Sequence, residues 1–239
     1  MRSLSTVLLT ALCALPTHAA TPAGFTALFN GKDLKGWEGN TSLWSAKDGV
    51  IVGRTTAEAP LKSNTFLIWK GGEVKNFELR ATFRFVDNNE KRTANSGIQY
   101  RSKIVDPAGW VVGGYQGDID AAGRYVGMLY EEKGRGILAK PGEKVKLLPS
   151  DEKKPKIEVL GETAPAATVS AAFRPDGWNE LTVIAEGNHL RHFLNGTPTA
   201  DIVDLDPAKA SATGVLALQI HQGPPMQIQF KEILMKKLP

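Results

Sequence analysis

The chain has 239 residues, 42% of them apolar and 23% charged, with 29 Lys and Arg against 25 Asp and Glu for a net charge of +4. That make-up belongs to a folded globular protein and excludes an intrinsically disordered chain. The two signs are interspersed and the basic runs are as short as Lys153-Lys154 and Lys236-Lys237, so the charge outlines no stripe for a nucleic acid.

Residues 1–20 carry one early Arg, an apolar run from Val7 to Leu15, a helix-breaking Pro16 and small residues at Ala19 and Ala20. This is the pattern of a cleavable secretory signal, which predicts a periplasmic or secreted protein. The apolar run falls well short of the roughly 20 residues that span a bilayer, and no later segment is apolar enough, so no membrane span is predicted. Cys13, the only cysteine, lies in this stretch after Leu12, where a lipid-anchored protein would carry a small residue. Cleavage leaves no thiol, and with it no disulfide, thiol nucleophile or thiolate metal site. Residues 21–239 suffice for one large sandwich domain.

Along that domain, apolar and polar residues alternate over short segments broken by Gly, Asn, Asp and Pro, which is the pattern of strands joined by turns. Asp48-Gly49 before Val50-Ile51-Val52 predicts a hairpin turn. Phe77, Leu79, Ala81, Phe83 and Phe85 form the clearest one-sided strand. In the next strand Asn95, Gly97, Gln99 and Arg101 share a face opposite Ile98 and Tyr100. Trp110, leading into Val111-Val112-Gly113-Gly114-Tyr115, is the best candidate for a sugar-stacking ring on a loop, although rings in sandwiches more often belong to the core. Gln116, Asp118 and Asp120 share a face opposite Ile119. The segment from Tyr125 to Gly136 holds Tyr130, Glu131, Glu132 and Arg135, readable as a stacking ring, carboxylates and a cation, or as a hairpin with a charged tip.

Residues 140–168, rich in Pro, Lys, Glu and Ala, predict long surface connections around a short strand at 156–160. Further strands are predicted at 181–185 and 189–194, with Asn195-Gly196 closing a hairpin, and at 214–221 and 227–235. A short helical turn is predicted near Pro207 to Ala210. Gln219 and His221 share a face opposite Leu218 and Ile220. With no βαβ rhythm, the fold class is all-β, an antiparallel sandwich or jelly roll.

A polar strand face is commonly just solvated, and then carries Lys, Glu and Thr. These faces carry Gln, Asn, Asp, Arg and His beside Gly, a set suited to vicinal hydroxyls through paired donors and acceptors. Other chemistries find no support. Ser96 lies in Asn-Ser-Gly and not in a nucleophile elbow, and no His-Glu-x-x-His, Walker loop or dinucleotide fingerprint occurs. His189 and His192, three apart on a strand, face opposite ways and make poor joint metal ligands. No cofactor is expected, although Asp118, Asp120 and His221 are the residue types that could hold a divalent ion.

The chain resembles the 3-keto-disaccharide hydrolase family from Phe25 to Leu238. The matching runs are LFNGKDLKGW at 28–37, NSGIQYR at 95–101, GYQGDI at 114–119, LYEE at 129–132 with RG at 135–136, GWNE at 177–180, LNG at 194–196 and LQIHQGPPM at 218–226. Each run is weak; their order is specific. The resemblance implies a concanavalin A-like jelly roll of two antiparallel sheets, over which sugars bind. It also implies action on glycosides already oxidised at carbon 3 by a partner sugar 3-oxidoreductase. A ketone at carbon 3 acidifies the hydrogen on carbon 2, so a base can remove it and the oxygen on carbon 1 can leave. On this reading His221 or Asp118 is the base, Glu131 or Glu132 the acid, and Arg101 and Gln116 hold the enolate oxygen. Asn95, Gln99, Trp110, Asp120, Tyr130, Arg135 and Gln219 would contact the sugar. A non-catalytic carbohydrate-binding module and a structural surface protein are the alternatives.

Overall fold

The computed structural model describes residues 21–87 and 90–239. The predicted signal, residues 1–20, lies outside them. In chain order the first strands are β1 (Thr26–Ala27), β2 (Trp37–Glu38), β3 (Trp44–Lys47), β4 (Val50–Arg54), β5 (Thr65–Trp69) and β6 (Phe77–Asp87). They are followed by β7 (Asn95–Asp106), β8 (Val111–Asp120), β9 (Leu129–Glu132), β10 (Gly136–Ala139), β11 (Glu143–Leu148) and β12 (Lys156–Glu162). After the helix α1 (Ala166–Ala172) come β13 (Asn179–Glu186), β14 (His189–Leu194), β15 (Thr197–Asp204), β16 (Val215–Ile220) and β17 (Gln227–Lys237).

Two sheets pack face to face. The larger runs β12-β11-β15-β14-β13-β6-β17-β4-β3 with β1 added beside β17, and the smaller runs β10-β9-β8-β7-β16-β5-β2. Alternation dictates what lies between them. Phe77, Leu79, Ala81, Phe83 and Phe85 of β6, Ile98 and Tyr100 of β7, and Leu216, Leu218 and Ile220 of β16 all enter one core. Each large apolar side chain buried there contributes about 1.5–3 kcal/mol. Both predicted hairpins form, with positive φ at Asp48 and Gly49 and at Asn195 and Gly196, the geometry whose twist matches that of the strands.

Two expectations need correction. The pairing is antiparallel except between β11 and β15, which run parallel. Residues 140–168 are also more regular than their composition suggests. Within them β11 buries Val145 and Leu147 between exposed or partly exposed Lys144 and Lys146, and the Ala-rich α1 starts after Pro165, which cannot donate a hydrogen bond into a preceding turn. Near Pro207 there is a single turn closed by Ala210 N donating to Asp206 O, and α1 is the one helix among the described residues. No helix there is long and apolar enough to cross a membrane.

Candidate functional site

The outer face of the seven-stranded sheet is divided in two. Bulges between Tyr100 and Lys103 and between Ile104 and Asp106 bend the far end of the β7–β8 hairpin. The bent end reaches β5, where Phe66 N donates to Trp110 O at 3.0 Å and Thr65 Oγ1 to Gly109 O at 3.1 Å. Phe66, Ile68, Val111, Val112 and Ala217 form a second small core there, with Trp110 packed against it. The rest of the face opens into a cavity of about 560 Å³, lined among others by Asn95, Gln116, Asp118, Tyr130, Glu132 and His221.

Strand register explains this grouping. Gln116 of β8 stands between Gln99 of β7 and Tyr130 of β9, while Asp118 stands opposite Gly97. A Cβ on Gly97 would collide with Cγ and Cδ of Gln116. Glycine at 97 therefore lets the Gln116 side chain fold across β7, where Nε2 donates to Asp118 Oδ1 at 2.6 Å and Oε1 accepts from Gln99 Nε2 at 2.7 Å and from Gln219 Nε2 at 2.8 Å. Asp118 Oδ2 accepts from Asn95 Nδ2 at 3.3 Å.

Asp118 is only 3% exposed. Burial pushes its carboxyl up to about 7, against the lowering effect of the Gln116 and Asn95 hydrogen bonds and with help from the charges of Asp120 and Glu132. Burial and the Glu132 and Asp118 carboxylates likewise raise the Tyr130 hydroxyl. Across the cavity, Nδ1 of His221 lies against the Gln222 carbonyl. With Nδ1 on that carbonyl, Nε2 is the ring nitrogen left for a ligand. Gln222 N donates to Asn64 Oδ1 at 2.9 Å and Asn64 Nδ2 to Glu132 Oε2 at 3.1 Å, so one buried amide ties the His221 segment to β9.

Of the residues expected to act together, Asn95, Gln116, Asp118, Tyr130, Glu132 and His221 do share this cavity. Gln99 and Gln219 lie on the expected face but are wholly buried beneath it, bond other amides and do not line the cavity. Glu131 is a correction: consecutive strand residues face opposite ways, and it turns inward where Glu132 turns outward. It accepts from Arg135 Nε at 2.7 Å, and Arg135 Nη2 donates to Asp204 Oδ2 at 2.6 Å, with the Tyr115 hydroxyl on the same carboxylate. Glu131 and Arg135 thus form a buried ionic cluster between the sheets and border a separate groove of about 490 Å³.

Arg101 is also corrected. It adopts positive φ at the β7 bulge, leaves the expected face, and is spent on the Lys75, Gly187 and Ser211 carbonyls and on Asn76 Oδ1. Trp110 covers the second core and does not line the cavity. Asp120 accepts from Tyr125 N at 2.6 Å and Arg124 N at 3.1 Å, so it shapes the loop that brings Tyr125 to the cavity and does not itself line the cavity. With Asp120 so committed, the suggested ion site of Asp118, Asp120 and His221 is not assembled, and no three His, Cys, Asp or Glu side chains are grouped to hold a metal among the described residues. His189 and His192 do face opposite ways. His189 pairs with Asp201, while buried His192 bonds Tyr100 and is held down to about 4 by burial.

The cavity also contains Lys62 and Asn64, which sequence reasoning missed. They sit in a turn before β5 with no periodicity, and Asn64 is informative only through its partner 68 residues away, Glu132.

Solved structures with this fold include a candidate glycosyl hydrolase from Parabacteroides distasonis, 19% identical over 90% of this chain and 94% of that one, with a TM-score of 0.55. A carbohydrate-binding module from Bacillus subtilis is 15% identical over 87% and 98%, with a TM-score of 0.54. A Bacillus subtilis protein of unknown function with a galectin-like fold is 9% identical over 85% and 90%, with a TM-score of 0.55. No curated protein matches the chain in sequence. Fold and cavity together define a jelly-roll sandwich protein with a polar cavity on the outer face of its smaller sheet. Within that class, the model of the 3-keto-alpha-glucoside-1,2-lyase-like domain matches residues 24–236, and the chain belongs to that family.

Proposed function

We propose that this protein is an exported carbohydrate-active enzyme that cleaves 3-keto-glycosides by removing the proton next to the ketone and expelling the group on carbon 1. The observation that carries the reading is a buried carboxyl, Asp118, pushed up to about 7 in the same cavity as the His221 imidazole. A base and an acid in one cavity are what this elimination needs. His221 Nε2 takes the hydrogen from carbon 2. Asp118 in its acid form gives a proton to the departing oxygen, and Gln116, Asn95 and Tyr130 orient the sugar by hydrogen bonding and stacking. Glu132 keeps the cavity selective for neutral, hydroxyl-rich ligands and is the alternative acid. The ketone is made beforehand by a separate sugar 3-oxidoreductase, and no metal or other cofactor takes part.

A binding module is the competing reading, since the same fold carries a carbohydrate-binding module in Bacillus subtilis. A module has use for the amides and the ring but none for a raised carboxyl that shares its cavity with an imidazole. The deciding experiment incubates purified protein with a 3-keto-glycoside and with its unoxidised parent, following release of the aglycone by chromatography. Release from the keto compound alone is expected, at a rate unchanged by a chelator. Binding of both without release would replace the enzyme with the module.

A further inference from the structure

The groove of about 490 Å³ is lined by the β7–β8 hairpin, the β9–β10 turn and the segments that follow β11 and β15. It adjoins the cavity, because Glu132 and Lys133 line both. The partition between them is the β9–β10 turn, closed by Gly134 N donating to Glu131 O at 3.2 Å, with the half-exposed Lys133 in it. The volume is that of a small-molecule site. Gly113, Gly114 and Gly134 contribute main chain alone to its lining, and Val105, 54% exposed, gives it an apolar wall.

The charge of the two depressions differs. Where the cavity presents amides and the carboxyls of Asp118 and Glu132, six cationic side chains line the groove. Some of these are already met. Arg135 pairs with Glu131 and Asp204, Lys209 lies 3.4 Å from Asp206, and Lys133 lies 4.0 Å from Glu132. The others are not. Lys103 and Lys153 are exposed and form no ion pair among the described residues. Arg101, 1% exposed, is bonded to three carbonyls and the Asn76 amide oxygen, none of which carries a charge. Six cations against these four acids leave a net of +2, half the net charge of the whole chain. Solvent ions screen a buried charge less than an exposed one, so the field of Arg101 adds to that of the two lysines.

We propose that this groove is an anion subsite, which receives a carboxylate or sulfate carried by the group on carbon 1 of a glycoside whose ring lies in the cavity. The preferred substrates are then 3-keto-glycosides with an acidic aglycone. The inference rests on the cavity being the sugar site of the proposed reaction. The neutral ring meets the amides and Tyr130, while the carboxyls of the cavity repel an acidic group and Lys133 leads it over the partition to Lys103 and Lys153. Lysines act as flexible point charges, so they accept a carboxylate and a sulfate alike.

The test reads binding without turnover, which keeps it apart from the aglycone assay. Calorimetry compares three unoxidised glucosides, each as both anomers, with flexible aglycones of equal length: hydroxyhexyl, carboxypentyl and the sulfate ester of the first. At about 0.01 M salt at least one charged glucoside is expected to bind about tenfold more tightly than the neutral one, the worth of one charge-assisted contact. That preference is expected to vanish at about 1 M salt, where the Debye length is about 3 Å. Lys103→Gln combined with Lys153→Gln is expected to abolish it at low salt. Lys47→Gln, at an exposed position on β3 of the other sheet, is expected to keep it, which separates the groove from the charge of the chain at large. No preference among the three glucosides, or a preference that survives the double variant, overturns the subsite. Should the double variant not fold, Lys153→Gln alone decides, with the preference expected to fall about threefold. A preference that holds while no 3-keto-glycoside is cleaved keeps the subsite and removes only the reaction.

Discussion

At the scale of single residues, the cavity works through differences between chemically similar side chains. Asp118 and Asp120 lie two apart on one strand, yet Asp120 is satisfied by two main-chain N–H groups while Asp118 has one strong donor and little exposed surface. Raising a carboxyl on folding costs stability as pH increases. The folded state binds the Asp118 proton more tightly than the unfolded chain, so stability is complete below about pH 4 and is lost progressively as pH rises to about 7. Asp118→Asn removes that loss, and thermal or denaturant melts are expected to show it stabilised by about 2–4 kcal/mol at pH 8 and hardly at all at pH 4. The same variant should lack turnover. His221→Ala, at the exposed edge of the cavity, is expected to fold normally and to lose at least about 10²-fold in kcat, as removal of a general base does. A full rate in the steady-state assay would remove His221 from that role.

At the scale of the strand, the alternation that defines each face also divides the acidic pair. Glu132 enters the cavity because Tyr130 does, and Glu131 is turned inward by the same geometry, toward Tyr115, which stands opposite it on β8. The space beside Gln116 is likewise a property of register, since Gly97 faces Asp118 across the β7–β8 pair. Gly97→Ala is expected to drive Gln116 off Asp118 and to cost about 1–3 kcal/mol of overpacking. Its signature is lost turnover in a protein that still melts cooperatively, as read by circular dichroism alongside the aglycone assay. The bulges in β7 work at this scale too. They bend the hairpin so that Trp110 closes one end of the outer face, and they carry Arg101 away from the cavity into a set of carbonyls.

At the scale of the whole molecule, the two sheets are joined by more than apolar packing. The cluster of Glu131, Arg135 and Asp204 bridges β9 of the small sheet and β15 of the large one, with Tyr115 donating into it from β8. Removing one charge from such a buried set leaves another uncompensated. Glu131→Gln is therefore expected to lower stability by about 3 kcal/mol while the folded fraction keeps its kcat, whereas Glu132→Gln is expected to keep stability and impair kcat or KM. Melting curves paired with kinetics on the two variants separate the adjacent acids.

Much of this was legible in the chain itself. Period-two alternation and the Asp48-Gly49 and Asn195-Gly196 turns specify a sandwich, because side-chain direction in a strand and positive φ in a tight turn are local properties. The same local rule placed Asn95, Gln116, Asp118 and His221 on outer faces and His189 and His192 on opposite ones. It failed at Arg101, where a bulge resets the alternation, and at residues 143–148, whose weak local signal becomes a strand by adding to β15 and β12. Which outer faces form one cavity, which polar side chains are already spent on main-chain partners, and how far burial lifts Asp118 were decided only by the tertiary structure. Those outcomes depend on contacts between segments as distant as Asn64 and Glu132, and on how completely neighbouring strands exclude water. Alternation along a single strand carries no record of either.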